Sequence, residues 1–84
     1  MEHGFQITCA NKNQSGTIVR VGGHGWSLSH HEAIHKIIGN QLRLYIFIGD
    51  DYFDIGVRRE GNYAYLVLEP DGKALNEVEE LMSC

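Results

Sequence analysis

Residues 31–35 read His-Glu-Ala-Ile-His, a literal match to the H-E-x-x-H pattern. In zinc peptidases this spacing places two imidazoles one helical turn apart on the metal, and the glutamate activates a zinc-bound water. Four features argue against that chemistry here. Ser29 reads as a helix N-cap, and Glu32, three residues on, completes a capping box, so its carboxylate folds back onto the cap's backbone amide. Ile34, Ile37 and Ile38 form the stripe that must be buried. At about 100° per residue, His31 and His35 then fall on its margin or on the solvent side. A catalytic zinc also needs a third protein ligand; His35 is the last histidine, and spacing nominates neither Asp54 nor Glu69. Finally, so short a helix in an 84-residue chain leaves little room for a substrate groove. No catalytic residue, metal or cofactor is expected. His31 and His35 stand only as an alternative, non-catalytic metal pair, with His24 and His30 near them in sequence.

Gly22-Gly23-His24-Gly25-Trp26 is the second candidate. Glycines let backbone amides approach an anion, and a helix N-terminus nearby adds partial positive charge. The segment lacks Gly-Lys-Ser/Thr and G-x-G-x-x-G, and no parallel sheet supplies a switch point. A small anion or peptide pocket lined by His24 and Trp26 is one reading; a hinge whose Trp26 closes one end of the core is the other. Asp50 and Asp51 read as a solvated turn tip. Ser27 and Ser29 lack the elbow that a nucleophile requires. Tyr63 and Tyr65 share one strand face with Arg58 across from them, which reads as a partner surface or as a second small core.

The elements that must position these groups follow from periodicity. Residues 5–10 alternate apolar and polar, as a half-buried strand does. Polar residues 11–16 turn the chain into the β-branched run 17–21, giving an antiparallel hairpin. Residues 22–26 break the strand. A helix follows the Ser29 cap to about Ile38, and Gly39 ends it in the left-handed conformation. Residues 44–48 are apolar on both faces and read as a central strand. Residues 52–59 and 63–68 complete an antiparallel meander, because the connections are too short for a crossover. Pro70-Asp71-Gly72 turns the chain, and Leu75, Val78 and Leu81 or Met82 suggest a short helical turn.

Composition narrows the function classes. The chain carries 7 basic and 11 acidic residues, a net charge of −4, and its arginines are scattered, so no basic patch meets a nucleic acid. No apolar run approaches the ~20 residues that span a bilayer. The N-terminus lacks the features of a signal peptide, and a cytoplasmic protein is expected. Cys9 and Cys84 form no CxxC pair. They read first as a buried apolar thiol and an unlinked thiol at position 84, with a mutual disulfide or a shared metal as the alternatives.

Several short pieces keep a distinctive order: Ile7-Thr8-Cys9, Val21-Gly22-Gly23 with Trp26, Glu32-Ala33-Ile34 with Ile37 and Gly39, Tyr65-Leu66, Pro70-Asp71-Gly72, and Leu81 with Cys84. Across nearly the whole chain this set resembles a small bacterial family of domains of unknown function. The resemblance implies a self-contained domain and transfers no activity. Paired histidines are not a feature of that family's helix, which makes residues 31–35 incidental. The family often ends Leu-Pro-x-Cys, whereas this chain has Leu81-Met82-Ser83-Cys84. Both cysteines fit family positions, which raises the chance that they meet.

The expected fold is α+β: a five-stranded, mainly antiparallel sheet in the order ββαβββ, one helix on a face, and a short C-terminal helical turn, all in one domain. The expected function is a non-enzymatic protein-interaction module, binding a protein partner or itself, with Arg58, Tyr63 and Tyr65 on its surface. A metal- or anion-binding protein using the histidines, or residues 22–26, is the alternative.

Overall fold

The computed structural model describes residues 4–84. Its strands are β1 (Gly4–Gln6), β2 (Cys9–Lys12), β3 (Ile18–Gly23), β4 (Trp26–Ser29), β5 (Arg43–Ile48), β6 (Asp51–Glu60) and β7 (Tyr63–Glu69). The helix α1 (His30–Ile38) joins β4 to β5, and a 3-10 turn covers Leu75–Glu77. The class is α+β, but the strands form two sheets rather than one of five: β1-β5-β6-β7 and β2-β3-β4.

The division falls inside the segment that alternation marks as one strand. The Ile7 amide donates to the Tyr45 carbonyl at 2.8 Å, in the first sheet, and the next amide, Thr8, donates to the Gly22 carbonyl at 2.9 Å, in the second. Ile7 lies between the sheets, 1% exposed. β1 thereby runs parallel to β5, whereas β2 pairs antiparallel with β3 as the expected hairpin. Residues 22–26 are not an irregular loop either. Gly22 and Gly23 end β3, His24 and Gly25 turn, and β4 returns antiparallel with Gly23 opposite Trp26.

Both sheets bury one face against a common interior. Ala10, Ile18 and Val21 come from the three-stranded sheet, and Leu44, Ile46, Ile55, Leu66 and Leu68 from the four-stranded one. Ala33 and Ile34 of α1 join them, as do Leu75 and Val78 from the chain's last stretch. β5, β6 and β7 form the antiparallel meander read from the sequence. The helix starts as its local signals dictate. Ser29 Oγ accepts the Glu32 amide at 3.1 Å, and the Glu32 carboxylate accepts the Ser29 amide at 3.1 Å. Its end differs from expectation. Gly39 has φ −80°, and Asn40 takes the left-handed conformation at φ 56°. The amides of Asn40 and Gln41 then reach back to the carbonyls of Ile37 and Lys36, which closes the last turn.

The reading of two unlinked thiols is overturned: Cys9 and Cys84 form a disulfide, 75 positions apart. The closing stretch is held against β2 by two further bonds. The Ala10 amide donates to the Met82 carbonyl at 2.9 Å, and the Cys84 amide donates to Asn11 Oδ1 at 3.0 Å. A cross-link closing so long a loop removes unfolded-chain entropy equivalent to about 4–5 kcal/mol. For a small domain this is a large part of the total stability. Urea unfolding of the oxidised protein and of Cys84→Ser should therefore differ by several kcal/mol; equal midpoints would show that the cross-link contributes nothing.

Candidate functional site

β5 alternates two kinds of apolar residue. Leu44 and Ile46 point inward and are buried, while Tyr45 and Phe47 point outward. β5 is a central strand, as read from the sequence, with β1 and β6 on either side, but its outer face is open at Phe47, which is 48% exposed. Antiparallel register sets Tyr52 opposite Phe47 and Asp54 opposite Tyr45. The rings of Tyr45 and Tyr52 stack at 5.5 Å, and Phe47 meets both edge-on at 6.1 and 5.5 Å. Arg43 donates to the Tyr52 hydroxyl at 2.9 Å, and that hydroxyl donates to Asp54 Oδ1 at 2.7 Å. The Arg43–Asp54 ion pair at 3.6 Å is half exposed, so it orients the ring more than it stabilises the fold. The hydrogen bond to Asp54, followed by partial desolvation, raises the Tyr52 pKa.

The β6–β7 register carries the same face onward. Arg58 pairs with Tyr65 and Glu60 with Tyr63, and the two tyrosine rings stack at 5.7 Å. The Tyr65 hydroxyl donates to Glu60 at 3.1 Å. Desolvation first, then that hydrogen bond, raises the Tyr65 pKa. Between the two aromatic groups, the Glu69 side chain lies over Gly56, where a Cβ would meet its carboxylate. The sequence-nominated Arg58, Tyr63 and Tyr65 thus share an open sheet face with Tyr45, Phe47 and Tyr52, which sequence reasoning left out. The available signal was the alternation of aliphatic and aromatic residues within 44–48.

The glycine segment is packed into the strand ladder. Gly22 sits opposite Cys9, and a Cβ there would lie 3.2 Å from Cys9 Sγ and 3.3 Å from Cys84 Sγ. A Cβ on Gly23 would strike the Gln6 carbonyl and the Trp26 indole. These glycines let two sheets and a disulfide approach one another. Both belong to the strand ladder. Trp26 meets Phe5 edge-to-face at 5.8 Å, and with the exposed His24 they border a hollow of about 210 Å³.

His31 and His35 are both exposed on α1, their rings 4.4 Å apart. Among the described residues no three His, Cys, Asp or Glu side chains gather in a metal-holding group. Glu32 is engaged with Ser29, as described above, rather than aimed between the imidazoles. Backbone and side-chain hydrogen bonds to Ser29 hold its pKa below the ordinary value. Burial, then the charge of His31, lowers that of His30. No helix among the described residues is long and apolar enough to cross a membrane.

No protein-family model, curated protein or solved structure matches this chain.

Two expectations follow from this geometry. Gly23→Ala should disrupt folding, because backbone and indole already fill the space a Cβ needs. Gly25→Ala meets open space and carries only the left-handed cost of about 1–2 kcal/mol. Circular dichroism melts would separate them; equal, mild effects would contradict the packing role. The Glu32 contribution has a definite pH sign. Its depressed folded-state pKa stabilises the protein fully above the ordinary value of 4.5, and this is lost as pH falls through the lower folded value. Glu32→Gln does not titrate, so the stability gap between wild type and variant should narrow from pH 7 to pH 3. A constant gap would refute the cap assignment.

Proposed function

We propose that this protein is a non-enzymatic interaction module whose outer β5-β6-β7 face docks a protein partner. The observation that carries the reading is the pair of aromatic groups on that face, Tyr45, Phe47 and Tyr52 at one end and Tyr63 and Tyr65 at the other. Large rings of this kind are enriched where proteins meet, because they bury much area with few torsions. Arg43 and Arg58 alternate on the same face with Asp54, Glu60 and Glu69, so the charge is mixed rather than cationic. That pattern suits a polypeptide surface better than a phosphate backbone.

Cys9 of the disulfide belongs to the three-stranded sheet, not to the one that carries the docking face. Joined thiols persist in oxidising compartments, and a cytoplasmic protein would keep them reduced.

A photo-crosslinking amino acid, p-benzoylphenylalanine, placed singly at Phe47, Tyr63 or Val19, tests the reading. Val19 is equally exposed, at 45%, but on the three-stranded sheet. The expected result is one discrete adduct from both Phe47 and Tyr63 and none from Val19. An adduct of twice the chain mass would identify a second copy as the partner. Equal capture at Val19, or no adduct at any position, would defeat the proposal.

A further inference from the structure

A cleft of about 550 Å³ opens between α1 and the β6–β7 turn and meets the aromatic face only at Tyr63. Its apolar floor is Ile34, which is buried, and Ile38, which is 48% exposed. His31 and His35 stand on one wall; Arg59, Asn62 and Tyr63 stand on the other. The size is that of pockets that take small organic ligands. Its polarity is one-sided: the chain has 11 acidic residues, yet none of the nine that line this cleft is acidic. The imidazoles, the guanidinium and the Asn62 amide are all hydrogen-bond donors. Arg59 makes no salt bridge among the described residues, whereas Arg43 is paired with Asp54.

We infer that this cleft is a binding site for a small carboxylate with an apolar body. The carboxylate meets Arg59 and the His31–His35 pair, because a guanidinium presents a planar fork of donors that matches a carboxylate's two oxygens. The apolar body lies along Ile34 and Ile38. A divalent cation is the competing occupant, since two imidazoles one turn apart can chelate. The guanidinium disfavours it, because a fixed positive charge on the facing wall repels a metal ion. The inference joins residues from α1 and from the β6–β7 hairpin; it shares only Tyr63 with the outer-face reading and does not rest on it.

The test is an NMR titration of the full chain with 4-phenylbutyrate, its neutral amide and its amine analogue. The expected result is saturable shifts at His31, His35, Asn62 and Ala64 with the carboxylate alone. Arg59→Gln should weaken binding about tenfold without lowering the melting temperature. Lys73→Gln, at an exposed cation beyond the turn that follows β7, should leave affinity unchanged. The inference is overturned if amide or amine binds as tightly, if shifts map elsewhere or are absent, if Arg59→Gln has no effect, or if zinc shifts the histidines and the carboxylate does not.

Discussion

Leu44, Ile46, Ile55, Leu66 and Leu68 of one sheet and Ala10, Ile18 and Val21 of the other meet Ala33 and Ile34 in one interior. A nine-residue helix buries too narrow a stripe to cover a four-stranded sheet alone. The second sheet supplies the missing cover, and α1 packs where it meets both. Fully burying one such aliphatic side chain stabilises the fold by about 1.5–3 kcal/mol. The chain therefore gains by bending at Ile7 and Thr8 and dividing its first strand between the sheets.

That division places the backbone closures. Because β2 leaves the first sheet, the amide of Ala10 is free to take the Met82 carbonyl, and Cys9 is carried to Cys84. Gly22 must then lack a side chain, since the disulfide occupies the space beside it. Residues 73 and 74 run along part of β7, with the Leu68 amide bonded to the Lys73 carbonyl and Val67 bridged to Ala74. Both arrangements cover stretches of strand that would otherwise offer unpaired edges to another chain.

The same constraint separates two surfaces of different chemistry. One face of the four-stranded sheet is committed to the interior, where Phe53 packs on the core, while Tyr45, Phe47, Tyr52, Tyr63 and Tyr65 emerge on the other. The helix reaches only part of the inner face, and its far margin leaves the cleft beside Arg59 and Asn62. One surface is broad, aromatic and mixed in charge; the other is narrow and rich in donors.

Local chemistry alone determined α1 and its start, because Ser29 and Glu32 satisfy each other's amides within one turn. The β5-β6-β7 meander was equally legible, since short turns leave adjacent strands no other partner. Distant partners were not legible. Alternation of period two states that a strand has an inner and an outer face, but not which sheet it joins. The split at Ile7, the parallel β1–β5 pair and the Cys9–Cys84 bond all depend on contacts far apart in sequence. The grouping of His31 and His35 with Arg59 and Asn62 is of the same kind: only the packing of α1 beside the β6–β7 hairpin brings those side chains to one cleft.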